Sequence, residues 1–279
     1  MSEGARAACV IGWPIKHSRS PLIHNYWIKE LGLAAEYRRE AVPPDRFAEF
    51  VSSLAERGYV GANVTVPHKE TALALAAADA RAQAVGAANT LWHEGGALRA
   101  TNTDVEGFLA NLDSTIPGWD HGLDTALVLG AGGAARAVVF ALTERGVGAI
   151  HVANRSFARA VALRGLFPQR VKALHWHEAA AVLPTAGLLV NTTTLGMSGQ
   201  PALDFNLGLL PNHAMVSDLV YTPLETAVLK AARGRGLRTV DGLGMLLHQA
   251  VGGFVRWFGV RPEVTKALRG LVEADLRSK

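Results

Sequence analysis

The chain has 279 residues, enough for one large domain or two smaller ones. Its 49% hydrophobic and 19% charged residues suit a folded protein and exclude disorder, while one cysteine, Cys9, excludes an intrachain disulfide framework and a cysteine-based metal cluster. A net charge of +4 is modest and spread out, its densest cluster being Arg233, Arg235 and Arg238, so neither a nucleic-acid partner nor a membrane partner is expected.

The alternation of short apolar runs and helical patterns sets the order of elements. Residues 7–15 read as a strand entering a Gly/Pro loop, and 20–33 as a helix with Ser20 at its N-cap and Pro21 first inside it. Residues 35–42 read as a strand and 43–58 as a helix ending at Gly58. The stretch "GANVTVPHKE" reads as a strand with Val64 and Val66 toward the core and Asn63 and Thr65 on the other face, followed by a helix over 69–86. This series favours an α/β layer with parallel pairing. A turn-rich segment within 101–122 then leads to a second series. In it a strand at 126–129, a glycine loop and a helix ending at Gly146 precede strands in 149–156, 186–197 and 214–221. A helix over 222–236, a last short strand near 237–242 and a helical tail complete the chain. The longest apolar run, 126–142, is broken by Gly130, Gly132, Gly133 and Arg136 and makes a poor membrane span. The first residues lack the basic start and apolar core of a signal peptide, so a cytoplasmic setting is expected.

The loop Gly130-Ala131-Gly132-Gly133-Ala134-Ala135 fits G-x-G-x-x-A between a strand and a helix, the context that turns this pattern into a dinucleotide signal. The plain alternative is a structural glycine turn. NAD-binding folds usually carry an acidic residue about twenty positions on. Here stand Asn154, Arg155 and Ser156, with Arg159 following. Two guanidiniums suit a 2′-phosphate, so NADP is expected over NAD.

Polar groups at strand ends line the ligand crevice of open α/β sheets. Here they are Asn63, Thr65, Asn89, Thr90, Asn102, Thr103 and Asp104, with Lys69 nearby and Ser18 and Ser20 in the first loop. The set suits a small polyhydroxylated ligand, although singly each residue could be a cap or a turn former. Lys69 and Asp104 stand out as a candidate proton-transfer pair. None of the ten histidines has a recognised metal spacing, and His17, His24, His68 and the "HWHE" of residues 175–178 read as structural or surface groups, the last in an edge strand or loop.

Nine motifs in order resemble the shikimate dehydrogenase family: "GWPIKHSRSPLIHN", "GANVTVPHKE", "VGAANT", "NTDVEG", "GAGGAARA", "NRSFARA", "NTTTLGM", "DLVYTPLET" and "DGLGMLLHQA". The resemblance spans nearly the whole chain. It implies a two-domain α/β enzyme: a substrate domain of residues 1–103 and 243–279, a Rossmann-type NADP domain of residues 104–242, and C-terminal helices returning to the first domain. The implied reaction is reversible NADPH-dependent reduction of 3-dehydroshikimate to shikimate, by a monomer or homodimer. By position, Ser18, Ser20, Asn63, Thr65, Lys69, Asn89, Asp104, Tyr221 and Gln249 would bind substrate, with Lys69 and Asp104 catalytic. Gly130, Ala131, Gly132, Gly133, Ala134, Asn154, Arg155, Arg159, Thr193, Met197, Leu219, Gly242 and Met245 would hold NADP. Trp13 departs from the smaller residue usual after the first glycine, and "NTTTLGM" carries threonine where alanine or serine is frequent; neither removes an implied functional group. A dual-specificity quinate/shikimate dehydrogenase is the close alternative. A glutamyl-tRNA reductase would need a catalytic cysteine, and a non-catalytic NADP-binding sensor would be expected to lack the Lys69 and Asp104 pair.

Overall fold

A computed structural model describes residues 6–278. The chain forms two compact units, Met1–Thr103 with Leu247–Asp275, and Asp104–Leu246 with Leu276–Lys279.

The first unit opens with β1 (Arg6–Gly12), buried at every residue after Arg6, as a central strand must be. Helix α1 (Ser20–Glu30) has Arg19 at its cap position, so Ser20 is its first helical residue rather than the expected cap. Then come β2 (Ala35–Ala41), a 3-10 turn at Pro44–Arg46, α2 (Phe47–Ser52) and β3 (Tyr59–Val64). The expected helix over 69–86 is interrupted: α3 (Lys69–Leu75) and α4 (Ala80–Val85) flank the two-residue strand β4 (Ala77–Ala78). The cause is Asp79. Its N–H donates to the Ala100 carbonyl at 2.9 Å and its carboxylate accepts the Ala82 N–H at 2.8 Å, capping a new helix inside an alanine-rich run.

Strands β5 (Thr90–Glu94) and β6 (Ala97–Thr101) form a hairpin that the motif reading passed over. Its two-residue turn is Gly95–Gly96, with φ of 59° and 79°, the left-handed pair that a tight hairpin turn demands. The sheet order is β2-β1-β3-β5-β6-β4. Because β5 runs antiparallel to both neighbours, this sheet is mixed, not wholly parallel as expected. A two-residue connection can join only antiparallel strands.

The second unit begins with α5 (Asp104–Thr115) and continues through β7 (Thr125–Leu129), α6 (Gly133–Glu144), β8 (Ala149–Asn154), α7 (Phe157–Leu166) and β9 (Val171–His175). A 3-10 segment Trp176–Thr185 leads to β10 (Leu188–Asn191) and β11 (Met215–Asp218). Helix α8 (Ala227–Gly234) starts later than expected, capped by the Thr226 side chain, and β12 (Arg238–Val240) follows. The order β12-β11-β10-β7-β8-β9 is parallel throughout. This is the doubly wound dinucleotide-binding order, with its switch point between β7 and β10. Its core is aliphatic and includes Leu127, Leu129, Leu189, Val216 and Leu229.

Helix α9 (Gly242–Phe258) belongs to the first unit from Leu247 onward, and α10 (Lys266–Arg277) follows. Trp257 Nε1 donates to the Leu91 carbonyl at 2.8 Å, and Trp27 Nε1 to the Glu263 carbonyl at 2.9 Å. Trp27, Tyr37, Phe254 and Trp257 thus build an aromatic layer on one face of the mixed sheet. Cys9, Ile11, Phe47, Leu54, Val64 and Leu91 lie in its aliphatic-rich core cluster. Among the described residues no helix is long and apolar enough to cross a membrane.

Candidate active site

In the first unit the candidate residues sit at or after the ends of β1 and β3 and at the start of β5, where Asn89 precedes Thr90. Asn63 is 5% exposed. Its Oδ1 accepts the Tyr37 hydroxyl at 2.7 Å, and its Nδ2 donates to Thr90 Oγ1 at 3.1 Å and to the Asn89 carbonyl at 3.3 Å. Both amide protons are therefore engaged, and the second lone pair of Oδ1 is the capacity left for a ligand hydroxyl. Asn89 Oδ1 accepts from Thr103 N at 2.7 Å, Thr103 Oγ1 at 3.2 Å and Thr90 Oγ1 at 3.1 Å, while its Nδ2 donates to Gln249 Oε1 at 3.5 Å. So Asn63, Asn89 and Gln249 come together as one network, with Tyr37, Thr90 and Thr103 as its supports.

Behind that network lies His24, fully buried and stacked on Tyr37 at 4.1 Å. Neither ring nitrogen has a hydrogen-bond partner. Burial lowers its pKa to about 3, with the nearby Asn63 amide pulling weakly the other way, so the ring is neutral. Burial pushes the Tyr37 phenol up, which keeps its hydroxyl a donor.

Val66 departs from the expected alternation. Strand β3 stops at Val64, 2% exposed, and Val66 is 69% exposed instead of facing the core. The chain turns because Thr65 N donates to the Ile11 carbonyl at 2.9 Å and the Val66 carbonyl accepts Trp13 N at 3.1 Å, bonds to the β1 end rather than along β3. Trp13 itself is 48% exposed. Lys69 is the first residue of α3, and its carbonyl accepts Ala88 N at 2.9 Å, beside Asn89. His68, at the cap position, stacks on Phe47 at 4.2 Å and donates from Nε2 to the Val42 carbonyl at 2.8 Å. Burial lowers the His68 pKa and favours that neutral donor form.

Ser18 and Ser20 are linked by Ser20 N donating to Ser18 Oγ at 3.3 Å. Their loop is gripped by two arginines. Arg39 donates to the Ser18 carbonyl from Nε at 3.1 Å and from a terminal nitrogen at 2.8 Å, and Arg19 donates to the His17 carbonyl at 2.8 Å while pairing with Asp275 at 2.5 Å.

In the second unit Gly130 closes the β7 end with φ of 108°, and a Cβ there would lie 2.4 Å from Thr192 Oγ1. Any larger residue is excluded by both conformation and contact. The space above Gly132 is open to 4 Å, and α6 begins after it with no side-chain cap, so the helix N-terminus presents its N–H groups to a ligand. Asn154 ends β8 and donates from Nδ2 to the Ser156 carbonyl at 2.9 Å. Arg155 and Arg159 are exposed, and among the described residues neither guanidinium has an ion pair or hydrogen bond. An uncapped helix start beside two unpaired guanidiniums, with no carboxylate at the strand end, fits a dinucleotide carrying a 2′-phosphate.

Two further loops are tied together by Asp218, wholly buried at the end of β11. Its Oδ1 accepts Asn191 Nδ2 at 2.9 Å and Val220 N at 3.0 Å, and its Oδ2 accepts the Thr226 hydroxyl at 2.7 Å. Asn191 in turn accepts Thr193 N at 3.0 Å and the Thr193 hydroxyl at 2.7 Å, and donates to the Leu195 carbonyl at 3.0 Å. Thr193 and Met197 stand in one loop, Leu219 and Tyr221 in the other, and Ser198 N donates to the Thr222 carbonyl at 2.8 Å between them. Desolvation raises the Asp218 pKa against these hydrogen bonds. Gly242 and Met245 lie in the first turn of α9, and Asp104 is the buried first residue of α5.

Residues 10–91 match the family model for the shikimate dehydrogenase substrate binding domain, 115–197 that for shikimate/quinate 5-dehydrogenase, and 242–269 that for the shikimate 5′-dehydrogenase C-terminal domain. A shikimate dehydrogenase (NADP(+)) of Rhodopseudomonas palustris strain HaA2 is 64% identical over 277 residues, covering 99% of each chain. The chain belongs to the shikimate dehydrogenase family. A solved shikimate 5-dehydrogenase from Thermus thermophilus, in complex with NADP(H) and shikimate, is 35% identical with a TM-score of 0.83 over 98% of this chain and 99% of that one. A quinate dehydrogenase from Corynebacterium glutamicum, in complex with NAD, is 31% identical with a TM-score of 0.89 over 97% and 99%.

Family membership leaves several site-building residues to which motif reading gives no role of their own. Tyr37 sits in a strand whose pattern marks nothing special about it. Thr90 and Thr103 were visible only as polar residues at strand ends. Asp218 had a readable signal: a carboxylate closing the short strand Met215–Asp218 must find donors or forfeit burial.

Proposed function

We infer that the chain is an NADP-dependent shikimate dehydrogenase. It catalyses the reversible NADPH-dependent reduction of 3-dehydroshikimate to shikimate, a step of aromatic amino acid biosynthesis. The observation that carries this conclusion is the 64% identity, over 99% of both chains, to an enzyme of that name. A cytoplasmic setting is part of the proposal, supported by a single cysteine that is buried and whose thiol pKa burial pushes up, away from the reactive thiolate.

Bound NADPH supplies the hydride. The pyrophosphate is assigned to the backbone N–H groups of Ala131, Gly132, Gly133 and Ala134, with Gly130, whose own N–H donates to the Ala153 carbonyl at 2.8 Å, making the turn that brings them to it, and the 2′-phosphate to Asn154, Arg155 and Arg159. Thr193, Met197, Leu219, Gly242 and Met245 are assigned to the ribose and nicotinamide end. On the substrate, the Ser18 and Ser20 hydroxyls hold the carboxylate, and the Arg39 and Arg19 bonds to their loop support that role by fixing where the hydroxyls point. Asn63, Thr65, Asn89, Tyr221 and Gln249 take the ring hydroxyls. Lys69 delivers a proton to the oxygen of the carbonyl being reduced, its positive charge stabilising the developing alkoxide before the proton moves. Asp104 accepts from a substrate hydroxyl.

The test follows NADPH absorbance with shikimate and NADP+, using quinate and NAD+ as controls. Absence of an NADP-dependent signal with shikimate overturns the reading, and turnover of quinate adds the second acid. Lys69→Ala is expected to lower kcat by about 10²- to 10⁴-fold, the usual span for a lost general acid. An unchanged kcat with a raised KM would reassign Lys69 to uniform binding.

A further inference from the structure

The "HWHE" stretch has no place in the reaction as assigned, yet the fold sets it beside the 2′-phosphate residues. In the parallel pairing of β8 with β9, His175 is the register partner of Asn154. Neighbouring strands lie about 4.8 Å apart, so the last residue of β9 is one strand spacing from the Asn154-Arg155 corner. The His175 ring stacks on Phe157, the first residue of α7 and two positions beyond Arg155, at 4.0 Å and 13°. Its second neighbour is His177, at 5.5 Å and 22°. The side chain is exposed but held by two aromatic neighbours.

His175 also takes the cap position of the 3-10 segment Trp176–Thr185, where a Glu178 carboxylate oxygen accepts His175 N at 2.6 Å and fixes the backbone from which the ring projects. A neutral imidazole carries one N–H donor in either tautomer. The nearest acidic side chain on this segment, Glu178, is engaged by that backbone bond. Across the strand pair, the charged groups are the two guanidiniums of Arg155 and Arg159, which have no partners of their own among the described residues.

We propose that His175 is a third donor of the 2′-phosphate subsite, placed beside Arg155 and Arg159 by its stack on Phe157 and by its backbone bond to Glu178 at the end of β9. The proposal rests on the NADP reading. It makes His175 a specificity residue for the phosphorylated ribose, with no part in hydride or proton transfer.

Direct binding of adenosine 2′,5′-bisphosphate and of 5′-AMP, measured by calorimetry, separates the two ideas. Wild-type protein without preference for the bisphosphate would undo the NADP reading itself. Given that preference, His175→Asn places a good capping residue at the segment's start and removes the ring, and His175→Phe keeps the stack and removes the donor. Both are expected to weaken bisphosphate binding by roughly 5- to 20-fold, the worth of one hydrogen bond to a charged group at a partly screened site, with 5′-AMP affinity unchanged. Unaltered bisphosphate affinity in either variant overturns the proposal. So does equal weakening toward both ligands, which would assign the ring to the adenosine or to local folding. Circular dichroism of each variant checks that the second unit is folded.

Discussion

Tyr37 spends its hydroxyl on another side chain, and that choice decides how Asn63 can meet a ligand. With Oδ1 held by the phenol and Nδ2 shared between Thr90 and Asn89, the amide cannot flip without losing buried hydrogen bonds. Tyr37→Phe keeps the ring on His24 and removes only the donor. One acceptor lone pair of a 5% exposed amide is then left unmet, at a cost of about 1–2 kcal/mol. Urea denaturation should show that loss, and KM for shikimate should rise severalfold while KM for NADP+ stays put. A variant as stable as wild type, with both KM values intact, would mean that the phenol is not what holds the amide.

At the scale of elements, α9 packs against the mixed sheet at Gly61 with no room to spare. A Cβ there would come within 2.2 Å of Trp257 Nε1 and 2.3 Å of the Leu91 carbonyl, the two groups that hydrogen-bond each other at 2.8 Å. Gly61→Ala must therefore push the indole off the strand. Overpacking and a lost buried hydrogen bond together cost about 3 kcal/mol. Because α9 also carries Gln249, KM for shikimate should rise with the fall in Tm; an unchanged Tm would show that the helix can shift freely. Nothing in "GYVGANV" announces this contact, since its partner lies far along the chain in the last third of the sequence. The legible features were those whose cause is local. The glycine loop is legible because a tight turn and a helix start need those residues in sequence, and β7, β8 and their helices because apolar period and turn residues agree. The break at Asp79 and the Gly95–Gly96 turn are also local, but the alanine run and the strand–helix alternation around them mask both. The Val66 turn depends on backbone groups of β1, and the Tyr37–Asn63 bond and the Asp218 network on side chains brought in from other strands and loops, so no spacing rule reaches those contacts.

For the whole molecule, the consequence of these choices is sensitivity to acid. Burial lowers the pKa of His24, His68 and His248 in the first unit and of His151 in the second. A histidine with a depressed folded pKa binds fewer protons folded than unfolded, so its stabilising contribution is complete above the unfolded value and is lost as pH falls. Asp218 acts in the opposite sense: its raised pKa makes burial less costly as pH falls. His24 has the one value pushed to about 3, so its window runs from roughly pH 6.5 down to pH 3, at about 1.4 kcal/mol per pH unit. By pH 5 that is about 2 kcal/mol. The phenyl ring of His24→Phe preserves the stack on Tyr37 and removes both the titration and the two unpartnered nitrogens. The other three histidines and Asp218 titrate in both proteins, so the difference between their pH profiles isolates His24. Hydrogen exchange of the β1 and β3 amides reports the first unit alone, which matters because two compact units need not unfold together. Between pH 6.5 and pH 5 the wild-type opening free energy should fall about 2 kcal/mol further than that of the variant. Parallel profiles would mean that the His24 ring finds a proton acceptor or water in solution and is not the buried neutral base its surroundings describe.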